Sequence, residues 1–311
     1  RYYLYYCLDK RQIVSVAVCD TPAGKYEFYG YVKHKDGTKL GEAPGDEPQF
    51  DPAVLTEGDK TYLYGGFCLP NDTTRTGTKA VVLDKDMLTI IEEPVLVLPS
   101  APYAEDPEYK KHAFFEASSI RKVNDTYYFV YSSIVSTELC YATSKHPTKD
   151  FVYRGTIVNN NDIGIDTYKK AETPAYYGGN NHGSIIQIKD KWYVFYHRHT
   201  NGSNFSRQDC IEEIKILPDG TIPQVEMTSC GANGGPLVGK GLYPAHIACN
   251  LFCDIEEART GWEWMGPEFP KITQDGRDGD EEPGYVCNMK AGATAGYKYF
   301  DFKDVTKITL M

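Results

Sequence analysis

Three stretches of the chain each open on a side chain that can move a proton or hold an ion. They are Asp51 in FDPAVLTEGDKTYLYGG, Glu116 in FFEASSIRKVNDTYYFVYSS, and His182 in NNHGSIIQIKDKWYVFYH. Glu116 follows Phe114 and Phe115 and precedes a run of small residues. Such a setting strips water from a carboxyl and raises its pKa. That suits a group that must stay protonated near neutral pH in order to donate a proton. Each residue also has a plain structural reading. A Glu at the start of a strand can simply be solvated, Asp-Pro is a common turn, and a lone His is ordinarily a hydrogen-bonded structural residue. Spacing decides between these readings.

The three stretches can be laid over one another. Each runs from its reactive residue through small residues and a short apolar strand. A polar turn follows, marked by Asp59, Asp125 and Asp190, and then an aromatic strand. This is the pattern of a β-hairpin. RYYLYYC at the start of the chain matches the second strand of the same hairpin. Aligning Tyr3, Tyr62, Tyr128 and Tyr193 gives spacings of about 59, 66 and 65 residues, a period that signals repeated units. A second pair of strands follows each hairpin, as in SVAVCDTPAGKYEFYGYV, KAVVLDKDMLTIIEEPVLV, LCYATSKHPTKDFVYRGTIV and CIEEIKILPDGTIPQVEMT. Four antiparallel strands per unit make the blade of a β-propeller. Nothing in the chain shows a long helical period. The fold class predicted is therefore all-β. In a propeller the residues opening successive hairpins converge on one central mouth, which would bring Asp51, Glu116 and His182 together.

Composition agrees with an all-β globular chain and excludes other classes. The 311 residues are 41% hydrophobic and 24% charged, enough for one large core or two domains. A net charge of -10 with no Lys/Arg-rich run argues against nucleic acid or an anionic membrane as partner. No apolar run reaches the roughly 18 residues of a membrane span. Nine cysteines without a CxxC pair, an odd number, predict reduced and mostly buried thiols. The 25 tyrosines suit both strands and a surface that stacks on sugar rings.

FDPAV with Asp51, FFEASSI with Glu116, and NNHGSI with His182 followed by WYVFYH, in this order and at blade spacing, resemble glycoside hydrolase family 43. These are five-bladed propellers that cleave β-xylosides and α-L-arabinofuranosides. The likeness covers residues 1 to about 230. YHRHTNGSNFSRQDCIEEIKILPDGTI resembles the last blade of arabinoxylan-debranching members. The resemblance implies Glu116 as general acid, with Asp51 holding it and tuning its pKa. His182 would sit at the channel centre near a calcium ion or ordered water. Arg207, in FSRQ, and Phe115 would bind the sugar. An inverting glycosidase also needs a carboxylate base on the opposite face of the sugar, roughly 6.5–9.5 Å from the acid, and a second carboxylate near the acid raises its pKa.

The family's base is an Asp opening the first blade. Only 50 residues precede Asp51, so the expectation is a propeller whose first blade, with the base, is missing from this chain. Asp9 and Asp20 fall in strand or turn positions, and Asp46 and Glu47 read as a loop leading to Asp51. Asp166 and Glu172 read as solvated surface. A Gly-rich linker is expected over 231–245. Residues 246–311 resemble the opening of a β-sandwich carbohydrate-binding module of the family 6 type. The implied partner is an oligo- or polysaccharide. The implied function is arabinofuranosidase or xylosidase action, with a non-catalytic sugar-binding propeller as the alternative. Cellular location is not legible.

Overall fold

The computed structural model describes residues 1–8, 10–165, 173–253, 269–276 and 284–310. Asp9, Asp166 and Glu172 lie outside the described residues. The chain forms two compact units, Arg1–Gly155 with His182–Ser184, and Thr156–Asn181 with Ile185–Met311.

Strands β1 (Tyr2–Tyr6), β2 (Ser15–Cys19) and β3 (Glu27–Tyr31) make a three-stranded antiparallel sheet. Strands β4 (Ala53–Glu57), β5 (Lys60–Gly65), β6 (Gly77–Leu83) and β7 (Ile90–Pro99) form a four-stranded antiparallel meander. A single helical turn, α1 (Pro107–Lys111), follows, with the Asp106 carboxylate accepting the Glu108 and Tyr109 amides. Strands β8 (Phe114–Val123), β9 (Thr126–Ser133), β10 (Glu138–Ser144) and β11 (Val152–Asn159) build a second four-stranded sheet. Strands β12 (Gly183–Ile188), β13 (Lys191–Thr200) and β14 (Ser203–Ile214) build a sheet of three. Among the described residues the structure is all-β apart from short helical turns, and no described helix is long and apolar enough to cross a membrane.

The repeated hairpins form where the sequence places them. The loops are Gly58-Asp59, Asn124-Asp125 and Lys189-Asp190, and each first residue has a positive φ, at 61°, 53° and 57°. Two-residue hairpin loops require this at that position. Tyr3, Tyr62, Tyr128 and Tyr193 fall on β1, β5, β9 and β13, opposite Val18, Val82, Thr143 and Glu213 on the following strands.

The alternation of β5 and β6 explains how the sheets of the first unit stack. Leu63 and Val81 enter one core with Tyr5 and Val16 of the first sheet and with Val32, just beyond β3. Tyr64 and Ala80, one residue along, enter a second core with Phe114, Phe129 and Tyr131 of the third. Successive side chains of a strand face opposite ways, so a sheet covered on both faces must be apolar on both. Tyr64 packs its ring 5.7 Å from that of Phe129, and its hydroxyl donates to the Pro147 carbonyl at 2.8 Å.

One strand expectation is corrected. The segment TIPQVEMT forms no fourth strand in the sheet of β12–β14. Pro223 has no N–H to give a ladder. The segment is held by other means, the Val225 amide donating to the Ile157 carbonyl at 2.9 Å and Ile222 and Met227 being buried.

The rest of the second unit pairs strands in twos. Strands β15 (Leu237–Val238) and β20 (Phe300–Asp301) are parallel, while β16 (Asn250–Cys253) pairs antiparallel with β19 (Ala293–Gly296), as β17 (Lys271–Thr273) does with β18 (Tyr285–Cys287). Residues 231–245 carry β15 and a 3-10 turn, Gly231–Asn233. A buried polar cluster ties this region together. Lys298 Nζ lies 2.8 Å from Asp162 and 3.3 Å from Glu226, and Asn250 Nδ2 donates to Asp162 at 3.0 Å. All nine cysteines are free thiols.

Candidate active site

Strand β8 is not regular where it carries Glu116. Its register against β9 shifts between Phe114 and Glu116 and again between Glu116 and Ser119. Ala117 sits at φ 66°, in the left-handed region. A bulge of this kind re-aims the side chain beside it. The Ala117 amide donates to Asp51 Oδ2 at 3.0 Å, so Asp51 grips the peptide that follows Glu116. Asp51 itself has φ 44°. Non-glycine residues held at positive φ cost of order 1–3 kcal/mol and persist where surroundings over-determine them. Glu116 is only 5% exposed. His182 Nδ1 lies 3.7 Å from the same Asp51 oxygen, with its side chain 38% exposed. The residues opening the three hairpins therefore meet within the first unit. A few residues further along the same hairpins, Ser119 is bonded to Ser184 at 2.9 Å, and Ser118 lies 3.4 Å from Thr78.

Ala117 gives a direct check on this geometry. A β-branched side chain at φ 66° adds strain that alanine avoids. Ala117→Val is expected to cost about 2 kcal/mol or more in urea unfolding and to lower activity by misplacing Glu116. Ala117→Gly is expected to be neutral or mildly stabilising at the same position. Equal stability of the two variants would show that the bulge holds no strain.

Sequence reasoning missed several neighbours. Cys7 donates to the Gln49 carbonyl at 3.7 Å, and its thiol is pushed up to about 12, by burial first and by the charge of Asp51 second. It is thus an inert packing group rather than a nucleophile. Phe115 is half-buried, its carbonyl accepts the Cys68 amide at 2.8 Å, and its ring lies 5.2 Å from that of Phe67. Nothing in the sequence around Phe67 signals that neighbour. Asp46 and Glu47 are absorbed by the loop before Asp51, as expected. Asp46 accepts from the Gly41 and Ala43 amides and meets His34 at 2.9 Å. Glu47 pairs with Lys79 at 2.7 Å and accepts from Thr76. Asp20 is exposed beside Arg1.

Arg207 belongs to the second unit, on β14 opposite His199. It is exposed, with Nη1 2.9 Å from His197 Nε2 and Nε donating to the Asn204 carbonyl at 3.2 Å. His199 is held down to about 4, by burial first and by the Arg207 charge second. Its imidazole is therefore neutral near pH 7.

Calcium takes six to eight oxygen ligands, and the Asp51 carboxylate, 3.7 Å from His182 Nδ1, could supply one of them. Among the described residues the one group of three His, Cys, Asp or Glu ligand atoms lying close together is His112, Glu138 and Cys140. There His112 Nδ1 lies 2.7 Å from Glu138, and that bond raises the His112 pKa. This is the geometry of an ion pair.

Comparison with known proteins gives the family. The profile of glycosyl hydrolases family 43 matches residues 1–222. A xylosidase/arabinosidase of Thermoclostridium stercorarium is 66% identical over 312 residues, which are 100% of this chain and 66% of that protein. A xylosidase/arabinosidase of Bacteroides ovatus is 29% identical over 255 residues, covering 73% of this chain and 70% of the relative. Among solved structures, a β-xylosidase/α-arabinofuranosidase from a compost microbial metagenome, in complex with xylotriose and in a calcium-free form, superposes with a TM-score of 0.55 at 27% identity. That match covers 72% of this chain and 69% of the other. The chain spans just under two thirds of the length of its 66%-identical relative. With a profile match over residues 1–222 and a 66%-identical xylosidase/arabinosidase, the chain belongs to glycosyl hydrolases family 43.

Proposed function

We propose that this chain belongs to an inverting glycosidase that releases α-L-arabinofuranosyl or β-xylosyl units from plant polysaccharide, with Glu116 as its general acid. The observation that carries this reading is the grip of Asp51 on the Ala117 amide, which aims a buried Glu116 out of a bulged strand. A carboxyl deprived of water favours its neutral form. Glu116 then holds the proton that the leaving glycosidic oxygen needs. Asp51 fixes the acid's backbone and adds a nearby negative charge that disfavours early ionisation. His182, beside Asp51, helps to keep that carboxylate in place. Inversion also requires a base that activates water on the far face of the sugar. The family pattern draws it from an aspartate opening an earlier blade than the one Asp51 opens.

The sheets read as blades of a five-bladed propeller. The repeated hairpins and the two-faced burial of β5 and β6 support this. Residues 246–311 read as the start of a carbohydrate-binding module, supported by their short paired strands. Arg207 and Phe115 are proposed sugar contacts. Calcium near His182 stays part of the proposal because a related enzyme was solved in a calcium-free form. No chemical step here is routed through it.

Incubating the full-length enzyme with arabinoxylan and with xylo-oligosaccharides, and following the first anomer released by proton NMR, tests the reading. Released pentose of inverted configuration is the expected result. Retained configuration would reject the mechanism. Binding of the polymer without release of pentose would favour a sugar-binding propeller instead.

A further inference from the structure

The residues just ahead of the two acids are joined by one short segment. The Gly66 amide donates to the Phe50 carbonyl at 3.1 Å, and the Cys68 amide donates to the Phe115 carbonyl at 2.8 Å. Phe50 directly precedes Asp51, and Phe115 directly precedes Glu116. Phe67, between the two amides, places its ring 5.6 Å from that of Phe50 and 5.2 Å from that of Phe115. The three rings form a continuous row from the residue before Asp51 to the residue before Glu116. Phe50, at its end, is 37% exposed, and the other two are half-buried.

The wall is braced from behind. Arg75 Nη1 donates to the Phe67 carbonyl at 2.7 Å, and its guanidinium lies over the Phe67 ring at 5.1 Å. Asp72 fixes Arg75 in turn, at 3.4 Å. Gly66 permits the close approach. A Cβ there would come within 3.1 Å of the Thr78 Cα and 3.3 Å of the Phe114 ring. Phe67 therefore has little freedom to leave its place between the other two rings.

We infer that Phe67 is a specificity-determining residue, its ring being the centre of an aromatic wall against which the leaving-group sugar stacks. This rests on the glycosidase reading above. The face of a pyranose or furanose is apolar and stacks on aromatic rings. The leaving-group sugar must lie beside the proton donor, and the wall begins at the residue next to Glu116. Arg75 acts through Phe67 as a positioning residue.

The test compares, in the full-length enzyme, two substrates with the same glycone. One is a pentosyl oligosaccharide, whose leaving group is a sugar. The other is the matching pentosyl fluoride, whose leaving group has no ring to stack. Phe67→Ala is expected to raise KM for the oligosaccharide about tenfold, the size of a lost stacking contact. The fluoride should be affected far less, so the ratio of the two kcat/KM values shifts by about tenfold. Phe67→Tyr, which keeps the ring, should restore the ratio and the melting temperature. An equal loss for both substrates, or a ratio unchanged in Phe67→Ala, would overturn the inference. A native enzyme that cleaves neither substrate would instead reject the glycosidase reading, and this inference with it.

Discussion

In the full-length enzyme, replacing Glu116 with glutamine is expected to slow the hydrolysis of natural pentosyl linkages by 10²–10⁴-fold, about 3–5 kcal/mol of barrier, the usual contribution of general acid catalysis. The substitution keeps the size of the side chain and most of its hydrogen bonds, so KM should move little. The effect should depend on the leaving group. A sugar alkoxide leaves poorly without a proton, whereas an activated aryl group departs as an anion and needs little help. The variant should therefore retain most of its activity on an aryl glycoside. Steady-state kinetics on the two substrates decide the matter. Equal slowing of both would assign Glu116 to the base or to a structural role. No slowing of either would remove it from the site.

The second large effect concerns stability against pH. Glu212, on β14, is buried, and its carboxylate accepts from the Thr228 amide at 2.6 Å and the Thr228 hydroxyl at 2.7 Å. The Tyr196 hydroxyl lies 3.4 Å away. Burial, the largest influence, pushes its pKa up from 4.5 to about 7 despite these donors, and the charge of Asp162 adds to the rise. An acid whose pKa is higher folded than unfolded binds more protons when folded. Its contribution is full below pH 4.5 and is lost as pH rises through about 7. The loss approaches about 3 kcal/mol. His199 works in the opposite sense. Its depressed pKa of about 4 makes its contribution full above 6.5 and lost as pH falls. The two trends partly cancel in the native protein. The informative quantity is the difference in unfolding free energy between the native chain and Glu212→Gln, measured in urea from pH 4 to 8. The variant should gain on the native chain by about 3 kcal/mol as pH rises across that range. A difference independent of pH would show that Glu212 titrates normally.

The hairpins were legible because their signals are local. A short apolar strand, a two-residue polar loop and an aromatic strand specify a hairpin within some 18 residues. Repetition of that pattern told which side chains occupy equivalent slots. Hence Asp51, Glu116 and His182 could be grouped from the sequence, and the structure brings them together. The same local logic put Asp46 and Glu47 in a loop. It failed at TIPQVEMT, where the strand-like alternation on either side of Pro223 is outweighed by a missing donor and by a hydrogen bond to Ile157.

What tertiary structure alone decided depends on pairs far apart in the chain. Ala117 has no residue type that marks it for positive φ. It adopts that conformation because the Asp51 carboxylate, 66 residues away, takes its amide. Phe67 lies in a stretch with no repeat signature, yet its neighbours reach Phe50 on one side and Phe115 on the other. Glu212 reads as one more polar residue on an alternating strand, and only burial against Thr228 and Tyr196 turns it into a titrating group. Sequence by itself determined the strands, the turns and the slots that carry the chemistry, because those follow from short-range sterics and alternation. The aim of Glu116, the aromatic wall beside it and the pKa of Glu212 were decided by the tertiary structure, because each arises from groups that only the packing of separate sheets and loops sets within a few ångströms of one another.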